Sequence, residues 1–233
     1  MSEAHSVYCY PETDILINNL NIRDQNRLEA SERKLSGIRM MELMKMPIFT
    51  VQWDLAYLQA IHHYIFQDVY PFAGKIRTEQ IGKGHFRFAS PLYIEGAASD
   101  LFQTLRHEHF LKNLGREAFC DRLTYYFTEI NVLHPFREGN GRTEREFLRT
   151  LALKNGYTLD FRKISQAVLL QASERSVADA KALLPILQQA ILEDSPNPAC
   201  LRQWELFSTK TPYELPEHLK RQGKAQKGHG FER

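Results

Sequence analysis

The chain has 233 residues, of which 43% are apolar and 25% are charged, and its formal net charge is +2 at pH 7. This composition is typical of an ordinary globular protein with one core, or with one core and an appendage. The small net charge gives no electrostatic argument for a nucleic-acid partner. No apolar run approaches the roughly 20 residues that span a bilayer. We therefore expect neither nucleic acid nor a membrane among its partners.

The cysteine content indicates a reducing compartment. Cys9, Cys120 and Cys200 are few, odd in number and far apart, and no Cys-x-x-Cys occurs. This pattern favours reduced thiols over a disulfide framework. The N-terminus also lacks the apolar stretch of a signal peptide. We expect a cytoplasmic protein, which a specialised secretion system could export without a cleaved signal.

Helical patterns dominate the chain as far as residue 192. Asp24 opens a predicted helix over residues 24–45, which Pro47 ends, and Asp54 caps the next helix. Residues 75–89 alternate loosely and contain two glycines, which predicts a short hairpin. Further helices are predicted over residues 91–111, 116–133, 140–155, 165–172 and 177–192. The fold class is therefore all-α.

The composition changes after Glu193. Four prolines follow, and the end is rich in Lys, Gly and Gln. We predict one domain over residues 1–193 and a C-terminal extension over 194–233 that ends in a mobile basic tail from about residue 217. The extension also carries apolar residues that could dock on the core: Leu201, Trp204, Leu206 and Phe207.

One glycine-rich segment favours phosphate binding. Asn140 and Gly141 lie where a helix begins, and Asn is a preferred N-cap residue. The first turn of a helix has unpaired N–H groups and a partial positive charge, so it binds phosphate readily. Gly139 and Gly141 have no Cβ, which lets the backbone approach a phosphate closely. This turn is a candidate phosphate site.

Charged and basic side chains surround the same turn. Arg142 and Arg145 are three residues apart and share a helix face, and guanidinium groups suit phosphate oxygens. Glu138 offers the hard oxygen ligands that Mg²⁺ prefers. His134 is a candidate proton acceptor near neutral pH. Each feature alone is usually structural, but together they favour a nucleoside triphosphate held beside a base.

In this order the residues resemble the motif of the Fic family, His-x-Phe-x-(Asp/Glu)-Gly-Asn-Gly-Arg-x-x-Arg, and residues 134–145 match every fixed position. Residues 68–78 look like the segment that leads into the Fic flap, and residues 83–89 look like its return. The resemblance covers about residues 10–193. It implies a Fic-fold helical bundle of six to eight helices with a small β-hairpin flap over residues 75–89.

The resemblance also implies an activity, because Fic proteins usually transfer AMP from ATP to a hydroxyl side chain of a target protein. His134 would deprotonate a Tyr, Thr or Ser hydroxyl of the target. Glu138 would bind the Mg²⁺ that bridges the α- and β-phosphates. The flap would align the target segment by strand pairing, which makes Lys83, Gly84 and His85 candidate docking residues.

The remaining motif residues would bind ATP. Asn140, with the backbone of Gly139 and Gly141, would hold the α-phosphate. Arg142 would hold the β-phosphate and Arg145 the γ-phosphate. The base of the nucleotide is not selected by these residues, and some Fic relatives transfer UMP, phosphocholine or phosphate instead. A Fic fold that binds a protein or a nucleotide without turnover is the second alternative, although such a module would be expected to lose His134 or Glu138.

Many Fic proteins carry an inhibitory helix with the pattern (Ser/Thr)-x-x-x-Glu-(Gly/Asn), whose Glu pairs with the second motif arginine, here Arg145. Residues 104–108 have the first half of this pattern, but His109 follows where Gly or Asn should stand. The resemblance then implies the class that a separate small antitoxin protein restrains. We expect a toxin or a secreted effector.

Other histidines give no second site. His62 and His63 are adjacent, and His107 and His109 are two residues apart, so neither pair has the spacing of a His-Glu-x-x-His zinc site. Arg77, in the predicted hairpin, is as consistent with an ordinary exposed position as with a functional one. We therefore place the chemistry in residues 134–145.

Overall fold

The computed structural model describes residues 6–47, 52–83 and 86–209, together with Pro216 and Leu219. These residues form a two-stranded antiparallel hairpin, β1 (Gly82–Lys83) with β2 (Phe86–Arg87), and eight α-helices. The helices are α1 (Gln25–Lys45), α2 (Leu55–Phe66), α3 (Ile94–His107), α4 (Arg116–Leu133), α5 (Asn140–Lys154), α6 (Gln166–Arg175), α7 (Leu184–Ala190) and α8 (Pro198–Ser208). The predicted all-α bundle with a small hairpin is confirmed.

Polar side chains fix where several helices begin. The Asp24 carboxylate accepts a hydrogen bond from the Arg27 backbone N–H at 2.9 Å, before α1. Asp54 does the same for the Tyr57 N–H at 3.0 Å, before α2. Such caps satisfy N–H groups that have no partner within the helix, and each is worth about 0.5–2 kcal/mol. Both helix starts are therefore set locally, as the sequence predicts.

Two helices are buried on nearly all sides and form the centre of the bundle. In α2 the buried residues are Tyr57, Leu58, Gln59, Ala60, Ile61, His62, Ile65 and Phe66. In α5 they include Phe147, Leu148, Leu151 and Ala152. The loop of residues 134–139, which carries predicted site residues and is called the site loop below, lies directly before α5 and so adjoins the buried centre of the bundle. None of the helices in the described ranges is both long and apolar enough to cross a membrane.

The C-terminal extension packs on this core. Trp204 of α8 is buried, and its ring centroid lies 5.7 Å from that of Trp53. Leu219 is also buried, against Ala60 of α2. Leu219 belongs to the segment predicted to be mobile, so this position has a fixed contact; the positions after it lie outside the described residues. Leu206, in contrast, is exposed.

Two of the predicted helices differ most from the structure. The helix predicted to run to residue 111 ends at His107, and a short 3₁₀ turn with a positive φ of 58° at Phe110 follows it. The helix predicted over residues 177–192 begins only at Leu184, with Pro185 in its first turn. Proline has no N–H and is favoured in that turn. Residues 177–183 form turns instead.

Candidate active site

The segment between α4 and α5 is a tight loop with a left-handed residue at each end. His134 ends α4 with a φ of 43°, and Gly139 precedes α5 with a φ of 81°. The Asn140 side chain closes the loop, because its Oδ1 accepts from Phe136 N at 2.9 Å and its Nδ2 donates to Phe136 O at 2.7 Å. The prediction that Asn140 is the N-cap is therefore wrong. Gly139 has the cap position, and the Asn140 amide is used within the loop.

Gly139 is required by close packing as well as by its dihedral angles. A Cβ atom added at this position would lie 2.3 Å from two ring carbons of Phe66, which is fully buried in α2. The ring thus presses on the loop backbone. At Gly141, in contrast, an added Cβ would meet only the Arg145 guanidinium, at 3.1 Å. Gly141 lies in the first turn of α5, where N–H groups have no helical partner.

His134 is held at its backbone and at its ring. Its Nδ1 lies 3.2 Å from the Asn131 carbonyl oxygen. An oxygen there can only accept, so in the neutral ring the proton lies on Nδ1 and the lone pair on Nε2. The ring stacks on Phe88, with centroids 3.7 Å apart and an interplanar angle of 13°. This tautomer presents Nε2 as the proton acceptor.

Arg77 ties the hairpin to this histidine. It is buried, with 1% of its surface exposed. Its guanidinium donates to the carbonyl oxygens of His134 and Glu79, each at 2.8 Å, and to that of Ala89. Glu79 precedes the hairpin and Ala89 follows it. Arg77 is therefore an anchor for both ends of the flap. Of the two interpretations that the sequence left open, the one with Arg77 as an ordinary exposed residue is wrong.

Arg142 is fixed by residues that the sequence did not single out. Its Nη2 donates to Glu32 at 2.6 Å and its Nη1 to the Ser36 hydroxyl at 3.0 Å, both on α1. The guanidinium carbon lies 4.6 Å from the centroid of the Phe66 ring. The Tyr70 hydroxyl also donates to Glu32. Glu32 is 110 positions away from Arg142 in the chain, so no local pattern indicates the pair.

Glu138 has the geometry of a carboxylate that can share a metal with phosphates. Its Oε1 accepts from Gly139 N at 2.9 Å and lies 3.7 Å from the Arg142 Nη2. The side chain is 43% exposed, so a ligand can reach the carboxylate. Mg²⁺ is commonly held by one or two carboxylates, several waters and substrate phosphates. The residues present therefore fit a Mg²⁺ ion that is bound together with a nucleotide.

Arg145 and Glu144 add charge inside the same region. Within the described part of the chain, Arg145 makes no hydrogen bond or ion pair, and burial lowers the pKa of its guanidinium while Glu144 opposes that shift. Glu144 is 4% exposed, and its Oε1 has no hydrogen-bond partner among the residues that the structure describes. Burial raises the pKa of this carboxyl well above its ordinary value. Arg145 is thus a cation without a fixed counter-ion, as expected of an anion site.

Glu108, in the half-matched inhibitory pattern, has other partners. It accepts from Arg122 Nε at 3.0 Å and from the Tyr126 hydroxyl at 3.1 Å. Both partners lie on α4, and neither is the arginine of the inhibitory pairing. Glu108 therefore has a structural role in this conformation.

A cavity of about 1260 Å³ runs between α1, the flap, the site loop and α6. It is larger than the roughly 300–1,000 Å³ of most small-molecule pockets. Five predicted site residues line it: His134, Glu138, Gly141, Arg142 and Arg145. The flap contributes Phe86 and Phe88 to its wall. The cavity has room for a nucleotide and for part of a second molecule.

Other predicted site residues lie elsewhere. Gly139 and Asn140 are not part of the cavity wall and shape the loop behind it. Gly84 and His85, together with the side chain of Lys83, lie outside the described residues. Their role in target docking stays a prediction. Glu32 and Ser36 are supporting residues that sequence patterns did not reveal, and Arg77 is a third, for which the sequence left the role open.

Known proteins match this chain in sequence and fold. The model of the Fic/DOC family matches residues 52–152. The chain is 41% identical over 173 residues to the protein adenylyltransferase VbhT of Bartonella schoenbuchensis, a match that covers 74% of this chain and 36% of VbhT. It is 35% identical over 192 residues to a probable protein adenylyltransferase Fic of Escherichia coli, covering 82% of this chain and 94% of that protein.

A solved structure gives the same fold. The ADP-bound N-terminal Fic domain of a Bartonella quintana effector protein superposes with a TM-score of 0.75 at 24% identity, covering 84% of this chain and 97% of that one. At this identity the likeness shows the fold alone. The Escherichia coli relative is matched over nearly its whole length, however, and the family model covers the site loop. The chain belongs to the Fic/DOC family.

Proposed function

We propose that this chain transfers AMP from ATP to the hydroxyl of a Tyr, Thr or Ser of a target protein, in a Mg²⁺-dependent reaction. The chain is a protein adenylyltransferase, because several relatives at 35–41% identity have names that give this activity. One observation supports the finer proposal most strongly. A histidine with Nδ1 on a carbonyl, an accessible carboxylate and two arginines line a single cavity: His134, Glu138, Arg142 and Arg145.

The proposed reaction is an in-line displacement at the α-phosphate. His134 Nε2 takes the proton of the target hydroxyl as its oxygen forms a bond to the α-phosphorus. The bond from that phosphorus to the bridging oxygen breaks, and pyrophosphate leaves with the electron pair. Arg142 and Arg145 hold the charge of the β- and γ-phosphates. Catalysis in this scheme comes mainly from positioning and charge stabilisation.

The α-phosphate faces the first turn of α5 in this proposal. The Asn140 side chain is bound to Phe136, so the backbone N–H groups around Gly141 hold the α-phosphate and Asn140 acts by shaping the loop. Mg²⁺, when held by Glu138 and the phosphates, neutralises developing charge and orients the leaving group. Glu138 is oriented for this role by Gly139 N.

We also propose that a separate small antitoxin protein restrains the chain, which acts as a toxin or effector. The support is the missing inhibitory pattern in the sequence and the commitment of Glu108 to Arg122. The proposed place of action is the cytoplasm, either of the producing cell or of a cell reached by a specialised secretion system. The Bartonella quintana neighbour is itself described as a VirB-translocated effector.

Labelled ATP separates these proposals from transfer of another group. The purified chain is incubated with Mg²⁺, a cell lysate and ATP labelled at either the α- or the γ-phosphate. Label from the α-phosphate that depends on His134, without His134-dependent label from the γ-phosphate, supports AMP transfer, and competition by unlabelled UTP or CTP reports on base selection. His134→Ala should abolish labelling from the α-phosphate, whereas His107→Ala, at an exposed position on α3, should not. Kinases of the lysate transfer the γ-phosphate with either protein, so only γ-label that His134→Ala abolishes would refute the proposal.

A further inference from the structure

His62 of α2 uses both of its ring nitrogens on the backbone of two other segments. It is fully buried. The Gly74 N–H donates to Nδ1 at 2.7 Å, and Nε2 lies 2.8 Å from the carbonyl oxygen of Glu138. A backbone N–H can only donate and a carbonyl oxygen can only accept. The proton is therefore on Nε2, and the ring donates to Glu138.

The His62 ring also packs against two aromatic side chains. It stacks on Phe136 of the site loop, with centroids 3.9 Å apart and an interplanar angle of 17°. The Phe66 ring lies 4.8 Å away on its own helix. Both ring nitrogens and the ring face are thus fixed to neighbours. His62 has no rotameric freedom with which to adapt if the loop moves.

The hydrogen bond acts at a point where the loop turns sharply. Glu138 is followed by Gly139 with a φ of 81°, and the Glu138 carboxylate bends back to accept from Gly139 N. The orientation of the peptide group between these two residues therefore determines where the carboxylate lies. His62 holds the oxygen of that same peptide group. This hydrogen bond of His62 is made to the backbone of Glu138 and not to its carboxylate.

We propose that His62 is a positioning residue that sets the direction of the Glu138 carboxylate toward the Mg²⁺ of a bound nucleotide. This inference rests on the proposed function, in which Glu138 binds that ion. His62 touches neither nucleotide nor target. Groups that orient metal ligands in this way commonly affect metal affinity by about 10–100-fold when they are replaced.

Two amide variants separate the two hydrogen bonds. His62→Gln places an amide nitrogen near the Nε2 position and keeps a donor for Glu138, but has no acceptor for Gly74. His62→Asn is shorter, so its oxygen can accept from Gly74 N but its nitrogen cannot reach Glu138. Both variants lose the stacked ring on Phe136. The general cost of removing the ring is therefore common to both and cancels in the comparison.

The test is calorimetric binding of a non-hydrolysable ATP analogue to the full chain, with and without Mg²⁺. The wild type should bind more tightly with Mg²⁺. In His62→Gln the increase in affinity on adding Mg²⁺ should be close to that of the wild type. In His62→Asn this increase should be about tenfold smaller than in the wild type. Affinity without Mg²⁺ should change less than about twofold in both. In a Glu138→Ala background, His62→Asn should have no further effect on the Mg²⁺ gain.

The outcomes are distinguishable. If the wild type shows no Mg²⁺ gain, the metal role of Glu138 in the proposed function is wrong, and the inference fails with it. If the wild type shows the gain and His62→Asn retains it fully, the inference alone is wrong. Equal losses in both variants, with and without Mg²⁺, would mean that His62 has a packing role only and would also overturn it.

A measurement on the wild type covers the case in which neither variant folds. In protein labelled with ¹⁵N at its histidine rings, His62 should show a protonated Nε2 and an unprotonated Nδ1. Adding Mg²⁺ to the analogue-bound chain should shift the Nε2 signal more than the Nδ1 signal, because the Nε2–H group donates to the carbonyl oxygen of Glu138, the proposed metal ligand. A protonated Nδ1, or no Mg²⁺-dependent shift, would overturn the inference.

Discussion

Replacing Gly139 by alanine tests the packing of the site loop on α2. The added methyl group would occupy a backbone position with a φ of 81° and would lie 2.3 Å from the Phe66 ring. The left-handed conformation costs a non-glycine residue roughly 1–2 kcal/mol. Overpacking against a fixed core ring costs about 1–3 kcal/mol more. We therefore expect Gly139→Ala to lower the free energy of unfolding by about 2–5 kcal/mol.

The same change should impair the site beyond its effect on stability. The Phe66 ring that must move also lies under the Arg142 guanidinium, 4.6 Å from its centroid. A shift of the ring therefore displaces the arginine proposed to hold the β-phosphate. We expect Gly139→Ala to bind ATP more weakly than the wild type at a temperature at which both are folded, as measured by calorimetry.

Gly37→Ala is the matched control. Gly37 lies inside α1, and a Cβ atom there would meet nothing within 4 Å. Alanine in a helix interior is favoured over glycine by about 1 kcal/mol, so this variant should be slightly more stable. Urea unfolding of both variants gives the comparison. If Gly139→Ala were as stable as the wild type, the loop would not be pressed against Phe66 as described, and the argument would be refuted.

For three further substitutions, the structure predicts the direction of the change in stability or activity. Arg77→Met leaves three carbonyl oxygens without their donor, so it should lower the free energy of unfolding by about 2–4 kcal/mol. It should also reduce AMP transfer more than Arg77→Lys does. Equal activity of the two variants would contradict the role of Arg77 as the anchor of the flap. Glu32→Gln removes the counter-charge of Arg142, so the ligand-free chain should be destabilised by about 1–3 kcal/mol. The rise in Tm on adding ATP should be larger than in the wild type. A smaller rise would show that Glu32 helps to bind ATP. Burial raises the pKa of the Glu144 carboxyl, so the folded state binds more protons than the unfolded state above the ordinary pKa, and this residue makes the protein less stable as pH rises. Glu144→Gln should remove this loss of stability as pH rises above the ordinary pKa of a glutamate, measured by urea unfolding, and an unchanged pH slope would count against the buried carboxyl.

The parts of the site that lie close together in the chain were predictable from the sequence. The motif residues from His134 to Arg145 occupy one loop and one helix turn, so their spacing determines their proximity. Helix starts at Asp24 and Asp54 follow from capping, which involves residues only three positions apart. Sequence reasoning works at this range because the backbone geometry of a helix is nearly fixed.

The contacts that support the site were not predictable in this way. Glu32 meets Arg142 across 110 positions, and His62 meets Glu138 across 76. Such pairs depend on how α1 and α2 pack against α5, which a hydrophobic pattern does not specify residue by residue. Asn140 was assigned to capping because Asn is favoured there, but the tight loop offered its amide two backbone partners at Phe136 instead.

In the proposed mechanism, transfer of AMP by this chain needs His134 as the base. The most direct measurement is mass spectrometry of lysate proteins after incubation with the purified chain, Mg²⁺ and ATP, beside the His134→Ala variant. With the wild type alone, we expect a mass increase of one adenylyl group (AMP less one water) on a Tyr, Thr or Ser of a target protein. The same modification with His134→Ala, or a different added group with the wild type, would contradict it.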